Sequence, residues 1–161
     1  MTMVLIVSLV AMAALGQVKT RKPELPRSVV FVCEHGNVKS LIAREWFNRL
    51  AASRGLDLRA LSRGVTPEKS VPPAIAAALR GDGFDVGGFE PRAFSATDAT
   101  GAVRVVGIGV DLSSAGERSD TPLETWQDIP PASEDYAASR DALRARIEVL
   151  LKRLESAEPR P

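Results

Sequence analysis

A single α/β domain is what this sequence predicts, built as a three-layer sandwich with a four-stranded, mostly parallel sheet flanked by helices on both faces. Three observations predict it. A short apolar run at 28–32 has the composition of a strand buried in a parallel sheet, and 103–110 and the short segment 123–126 read as further strands. Stretches with apolar residues three to four positions apart lie between and after them, the spacing of helices with one buried face. A length of 161 residues, 45% of them hydrophobic and 25% charged, suits one soluble domain with its own core.

The elements follow in order. Ser28-Val29-Val30-Phe31-Val32 is β-branched and aromatic after its first residue, a strand signature. Cys33 to Ser40 is a short loop, and a helix follows from about Ser40, with Ile42, Trp46 and Leu50 four apart, Phe47 beside them and Gly55 as its stop. Leu56, Leu58 and Ala60 alternate with charged neighbours as a second strand, and residues 62–67 read as a loop. Pro72-Pro73 can open a helix, because the first turn has no use for the missing amide hydrogens. Ile75 and Leu79 mark the buried face of that helix; Gly81 and Gly83 end it, and residues 85–101 read as irregular. Val103 to Val110 is the third strand, 113–121 a polar loop, and Leu123 to Trp126 a short fourth strand. The last helix spans about Ser133 to Leu154, with Tyr136, Leu143, Ile147, Leu150 and Leu154 on one stripe; the domain is thus expected over 28–154, with 155–161 as a tail.

The N-terminus has a different character. Met3 to Gly16 is apolar and uncharged, shorter than the roughly 20 residues a bilayer span takes but as long as a signal-peptide core. Ala14 and Gly16 place small residues three and one before a cut ahead of Gln17, although Met1-Thr2 supplies no positive charge. Residues 1–16 are therefore expected to be a signal peptide and 17–27 a polar linker. Export to the periplasm or another extracytoplasmic space would follow, with no stable membrane span in the mature form; a cytoplasmic or membrane-anchored chain is the alternative.

Composition excludes several function classes. Lys plus Arg (21) almost balances Asp plus Glu (20), for a net charge of +1, and no basic stripe interleaves with aromatics, so nucleic acid is not an expected partner. One cysteine cannot form an internal disulfide, and one histidine cannot complete a zinc site with it. Cys33 is then either a small buried hydrophobe or a reactive thiol. Its position decides between them. Parallel sheets bind ligands beyond the carboxyl ends of their strands, and Cys33 ends the first strand. A strand turning tightly into a helix aims several amide N–H groups at one point, an arrangement that stabilises thiolates and attracts oxyanions. Ser40 could donate its hydroxyl to the sulfur, cap the helix, or both.

The segment VVFVCEHGNVKSLIA resembles the hallmark of the low-molecular-weight protein tyrosine phosphatase and arsenate reductase superfamily: strand, then Cys, five residues, a basic residue and Ser, then helix. Ser62-Arg63-Gly64-Val65-Thr66 stands where that family has a Ser-Ala-Gly-Thr turn. The Pro-opened helix ending in Gly-Phe-Asp, Pro91-Arg92-Ala93, the strand ending at Asp111 and Trp126-Gln127-Asp128-Ile129-Pro130 have counterparts as well. The resemblance implies that Cys33 is a nucleophile forming a phosphocysteine, and that Glu34, His35, Gly36, Asn37, Val38, Lys39 and Ser40 bind the phosphoryl group. It implies that Asp128 is the general acid, with Asp111 in reserve, and that no metal cofactor is needed. The expected partner is a phosphorylated protein, a small phosphomonoester or another oxyanion. The chain departs from the family where Lys39 replaces the loop arginine, whose planar fork grips two phosphoryl oxygens. It departs again at Gly36-Asn37, where the family places Asn one position earlier to hold a left-handed turn that Gly36 can adopt itself. Hydrolysis of phosphotyrosine or small phosphomonoesters is the first functional expectation. The alternatives are arsenate reduction with an external thiol, since Cys33 has no relay partner in the chain, and non-catalytic oxyanion binding.

Overall fold

A computed structural model describes residues 27–113 and 120–157. The expected signal peptide 1–16, all of the expected linker except Arg27, most of the 113–121 loop and the end of the tail lie outside the described residues. Among the described residues no helix is long and apolar enough to cross a membrane.

Four strands, β1 (Arg27–Cys33), β2 (Leu58–Gly64), β3 (Ala102–Ile108) and β4 (Leu123–Trp126), form one parallel sheet in the order β2-β1-β3-β4. The main helices are α1 (Lys39–Ser53), α2 (Pro73–Gly81) and, closing the chain, α4 (Tyr136–Ser156); a single short turn, α3 (Ala96–Thr100), precedes β3. β1 is central, and its alternation divides the core. Val29, Phe31 and Cys33 face a large cluster with Leu41, Phe47, Leu143, Ile147 and Trp126, whereas Val30 and Val32 face a smaller one with Ala99, Val105, Val110 and Leu112. Phe31 is the centre of the large cluster, with ring centroids 5.7 Å from Phe47 and 5.6 Å from Trp126. This explains why β1 reads as a continuous apolar run: neither face meets water.

The expected strands and main helices are present, with shifted ends. β2 begins at Leu58 and runs on through Ser62, Arg63 and Gly64, which were expected in a loop. These residues stay in register with β1, with Gly64 paired to Cys33, because the ladder keeps a strand extended wherever its neighbour continues. α4 starts at Tyr136 and not Ser133, since the Asp135 side chain accepts from Ala138 N and caps it there. β3 ends at Ile108, not Val110.

The region 85–101, expected to be irregular, contains α3, whose signal was a capping box. The Ser95 hydroxyl accepts from Asp98 N, and the Asp98 carboxylate accepts from Ser95 N at 3.0 Å. Asp98 also accepts from Arg63 Nε at 3.0 Å, tying α3 to the edge strand β2. Burial works to raise the Asp98 pKa, but the bonds from Arg63 and Ser95 outweigh it and hold the carboxyl below its ordinary value of 3.8. A depressed folded-state pKa means that the unfolded chain binds the proton more readily. The stabilisation is thus full above the ordinary carboxyl range and is lost as pH falls through the folded value. Asp98→Asn is expected to cost about 1 kcal/mol at pH 7 and to flatten the acid side of the stability profile. Urea unfolding from pH 7 to 2.5 measures both; an unchanged slope would show that the pair contributes nothing.

Candidate active site around Cys33

The strand order places β1 and β3 side by side, with the chain leaving β1 toward β2 on one side and reaching β3 on the other. Such a switch point opens a crevice beyond the carboxyl ends of the two strands. A cavity of about 550 Å³ lies there, lined by Cys33 from the end of β1 and by Ile108 and Gly109 from the end of β3. Glu34, His35, Asn37 and Val38 of the loop, Lys39 at the start of α1, Glu68, Pro72, Ala74, Ile75, Pro131 to Ser133 and Tyr136 complete its walls.

The loop shape follows from where its carbonyls go. Cys33 O accepts from Val65 N at 3.0 Å, Glu34 O from Thr66 N at 2.8 Å, His35 O from Glu68 N at 3.2 Å and Gly36 O from the Ser62 hydroxyl at 3.1 Å. In a trans peptide the next N–H points opposite to the carbonyl. Four consecutive carbonyls turned toward β2 and the segment after it therefore turn the amides of Glu34, His35, Gly36 and Asn37 to the other side. A concave row of N–H groups beside the first turn of a helix suits a tetrahedral oxyanion. Gly36 allows the turn with a φ of 70°, the left-handed geometry its sequence position suggested. Asn37 is wholly buried and locks the loop to the next segment, its Nδ2 donating to Glu68 Oε2 and to Ser70 O, both at 2.7 Å.

The sulfur lies within this arrangement. Cys33 Sγ is 3.0 Å from Ser40 Oγ, which is 2.8 Å from Ser62 Oγ; all three residues are buried. The Ser62 proton has two acceptors, Gly36 O and Ser40 Oγ, and with either choice the Ser40 proton is free for the sulfur. Ser40 does not cap α1. The N-cap is Val38, with no side-chain cap bond, and the Ser40 hydroxyl is turned to Cys33 instead.

The other expected site residues separate. Lys39 reaches the cavity wall, but its Nζ donates to Ile129 O at 2.9 Å, joining the start of α1 to the loop before α4. His35 is exposed, and its Nδ1 donates to Thr66 O at 3.3 Å. Asp128 is not brought to the cavity. It is exposed and paired with Arg146 of α4, and that bond holds its carboxyl below the ordinary range. Asp111 is exposed and accepts from Ser113 N at 2.9 Å, away from the lining. The loop segment that does line the cavity is Pro131-Ala132-Ser133, which carries no carboxylate. Sequence reasoning missed Glu68, Tyr136 and Ser62 as members of the site. Only Ser62 had a signal, its place in the turn-like Ser-Arg-Gly; Tyr136 read as core, and its hydroxyl donates to Asp82 at 2.7 Å.

Comparisons with known proteins agree with this fold. YfkJ from Bacillus subtilis superposes with a TM-score of 0.70 at 19% identity, covering 86% of this chain and 100% of its own. A low molecular weight protein tyrosine phosphatase from T. tengcongensis gives 0.68 at 22% identity, covering 79% and 99%. An arsenate reductase from Archaeoglobus fulgidus gives 0.59 at 24% identity, covering 77% and 98%. At these identities the likeness is one of fold. No curated protein matches the sequence. The model of the family described as low molecular weight phosphotyrosine protein phosphatase matches residues 28–108, from β1 through the end of β3. The sheet, the Cys33 loop and its serine partners all fall in that stretch apart from the short edge strand, and the chain belongs to the low molecular weight phosphotyrosine protein phosphatase family.

Proposed function

We propose that this protein binds phosphomonoesters in the Cys33 loop and transfers the phosphoryl group to the sulfur, acting as a slow, metal-independent phosphatase. The observation that carries the reading is Ser40 Oγ, 3.0 Å from Cys33 Sγ at the base of a loop whose first four carbonyls, Cys33 to Gly36, turn toward β2 and the segment after it. In the first step Sγ attacks phosphorus, the S–P bond forms, and the bond to the leaving oxygen breaks with its electron pair. In the second, water attacks phosphorus and the thiolate leaves. The leaving oxygen needs a proton, and Asp128 is engaged by Arg146 on the surface. Phenols, which leave without strong acid help, are therefore the favoured substrates, and solvent supplies the proton.

Lys39 limits the rate in a second way. To meet the anion its ammonium has to leave the Ile129 carbonyl, and it then offers a point charge without the two-pronged grip of a guanidinium. Lys39→Arg is expected to raise aryl phosphate hydrolysis about tenfold or more over a weak wild-type rate. Release of phenolate from an aryl phosphate measures it. No turnover in either protein, with inorganic phosphate still bound, would replace this reading with a non-catalytic oxyanion-binding module, which the engaged Lys39 and Asp128 favour. Arsenate-dependent oxidation of an added thiol would support a reductase. Export, if residues 1–16 direct it, weighs against that chemistry, because reductant is scarce outside the cytoplasm.

A further inference from the structure

The mouth of the cavity carries more negative than positive side-chain charge. Glu34 and Glu68 both line it, against the single ammonium of Lys39, which is engaged by Ile129 O. Glu68 is held in place: Oε2 accepts from buried Asn37, its backbone N bonds His35 O, and Oε1 stands 3.9 Å from His35 Nδ1. The Asn37 Oδ1, buried in the same wall, has no hydrogen-bond partner, so a second acceptor faces no donor there. Pro72, Ala74, Ile75, Ile108 and Ala132 make much of the remaining wall apolar. An incoming phosphate dianion is attracted by the amide row but repelled by two carboxylates at the rim. A ligand gains from Glu68 only if it brings positive charge or N–H donors of its own.

Resting on the phosphomonoester reading, we infer that the ligand is a phosphorylated segment of a basic peptide, whose Lys or Arg beside the phosphorylated residue sits against Glu68. An aromatic phosphorylated side chain fits the apolar walls. The net charge of the whole chain is only +1, so a preference for a basic peptide would have to come from this local field and not from the protein at large.

The test uses two phosphotyrosyl peptides of equal length, one flanked by Lys and one by Glu, and inorganic phosphate as the third probe. Binding is measured by fluorescence anisotropy and calorimetry at low salt and pH 8. With the Cys33→Ser protein as a non-turnover form, the Lys peptide is expected to bind about fivefold tighter than the Glu peptide. Adding Glu68→Gln, which keeps an acceptor for Asn37, should remove most of that gap; Glu68→Lys should invert it. Asp141→Asn, which removes an exposed carboxylate on α4, should leave it unchanged. Equal affinity for both peptides, a gap insensitive to Glu68, or phosphate binding without peptide binding overturns the inference and leaves the phosphomonoester reading standing. Failure of all three probes to bind overturns that reading itself.

Discussion

Cys33→Ser is expected to abolish phosphoryl transfer, lowering aryl phosphate turnover by about a thousandfold or more, while the protein stays folded and still binds phosphate. The thiol is buried at the end of β1 and Ser is close to its size, so the exchange leaves no large cavity. What it removes is the chain's single thiol, which lines the crevice. A serine hydroxyl would need a base to take its proton, and the groups nearest it, Ser40 and Ser62, cannot serve. The wild type should also show an intermediate. With no carboxylate on the Pro131–Ser133 wall to activate water, hydrolysis of the S–P bond is expected to be slower than its formation, so acid-quenched protein should carry one phosphoryl group on Cys33. Ser40→Ala should fall between the two proteins, losing about tenfold to a hundredfold, the worth of one hydrogen bond to a charged group. Mass spectrometry of quenched protein beside a steady-state assay decides the matter. Full activity in Cys33→Ser would place the chemistry elsewhere.

Much of the fold was legible because its signals are local and repeated. β1 reads as a strand at any register, since both of its faces are buried, and α4 carries its buried stripe over five turns. Boundaries were less legible where a neighbour sets them: nothing in Ser62-Arg63-Gly64 favours a strand, and it is pairing with Phe31 to Cys33 that extends it. α3 was missed although the Ser95…Asp98 spacing was present, because so short a helix has almost no periodicity to read. In the site, Cys33 and Ser40 were legible because a strand, a loop of fixed length and a helix position them within one stretch of chain. Lys39 and Asp128 show the limit. Their partners, Ile129 O and Arg146, lie 90 and 18 residues away, and spacing carries no information about a long side chain that has a choice of distant acceptors or donors. Glu68 entered the site for the same reason, through a bond from Asn37 that closes 31 residues of chain.

Gly64→Ala is expected to damage the loop most severely among the single-atom-scale changes available, weakening phosphate binding at least about tenfold and lowering stability by about 2–3 kcal/mol. Gly64 ends β2 and faces Gly36 across a gap that only hydrogen can fill. A Cβ on Gly64 would lie 2.8 Å from both Gly36 N and His35 C, and one on Gly36 would lie 2.7 Å from Gly64 N. The atoms in the way are backbone, so no side chain can swing aside. Gly64 cannot retreat either, because its N–H donates to Arg92 O and its carbonyl accepts from Phe94 N, each at 2.9 Å, on the side away from β1. The loop must move instead, and moving it turns the amides of His35 and Gly36 away from their common point. Gly81→Ala is the matched control: open space surrounds it and its φ is ordinary, so the helix end it occupies should be unaffected or slightly more stable. Gly55→Ala separates strain from collision, since Gly55 has a φ of 67° with nothing within 4 Å; about 1 kcal/mol of stability should go, and phosphate affinity should stay. Urea midpoints and phosphate calorimetry on the three variants give a pattern that simple destabilisation cannot produce. If Gly64→Ala bound phosphate as tightly as the wild type, the amides of the Cys33 loop could not be the groups that hold it.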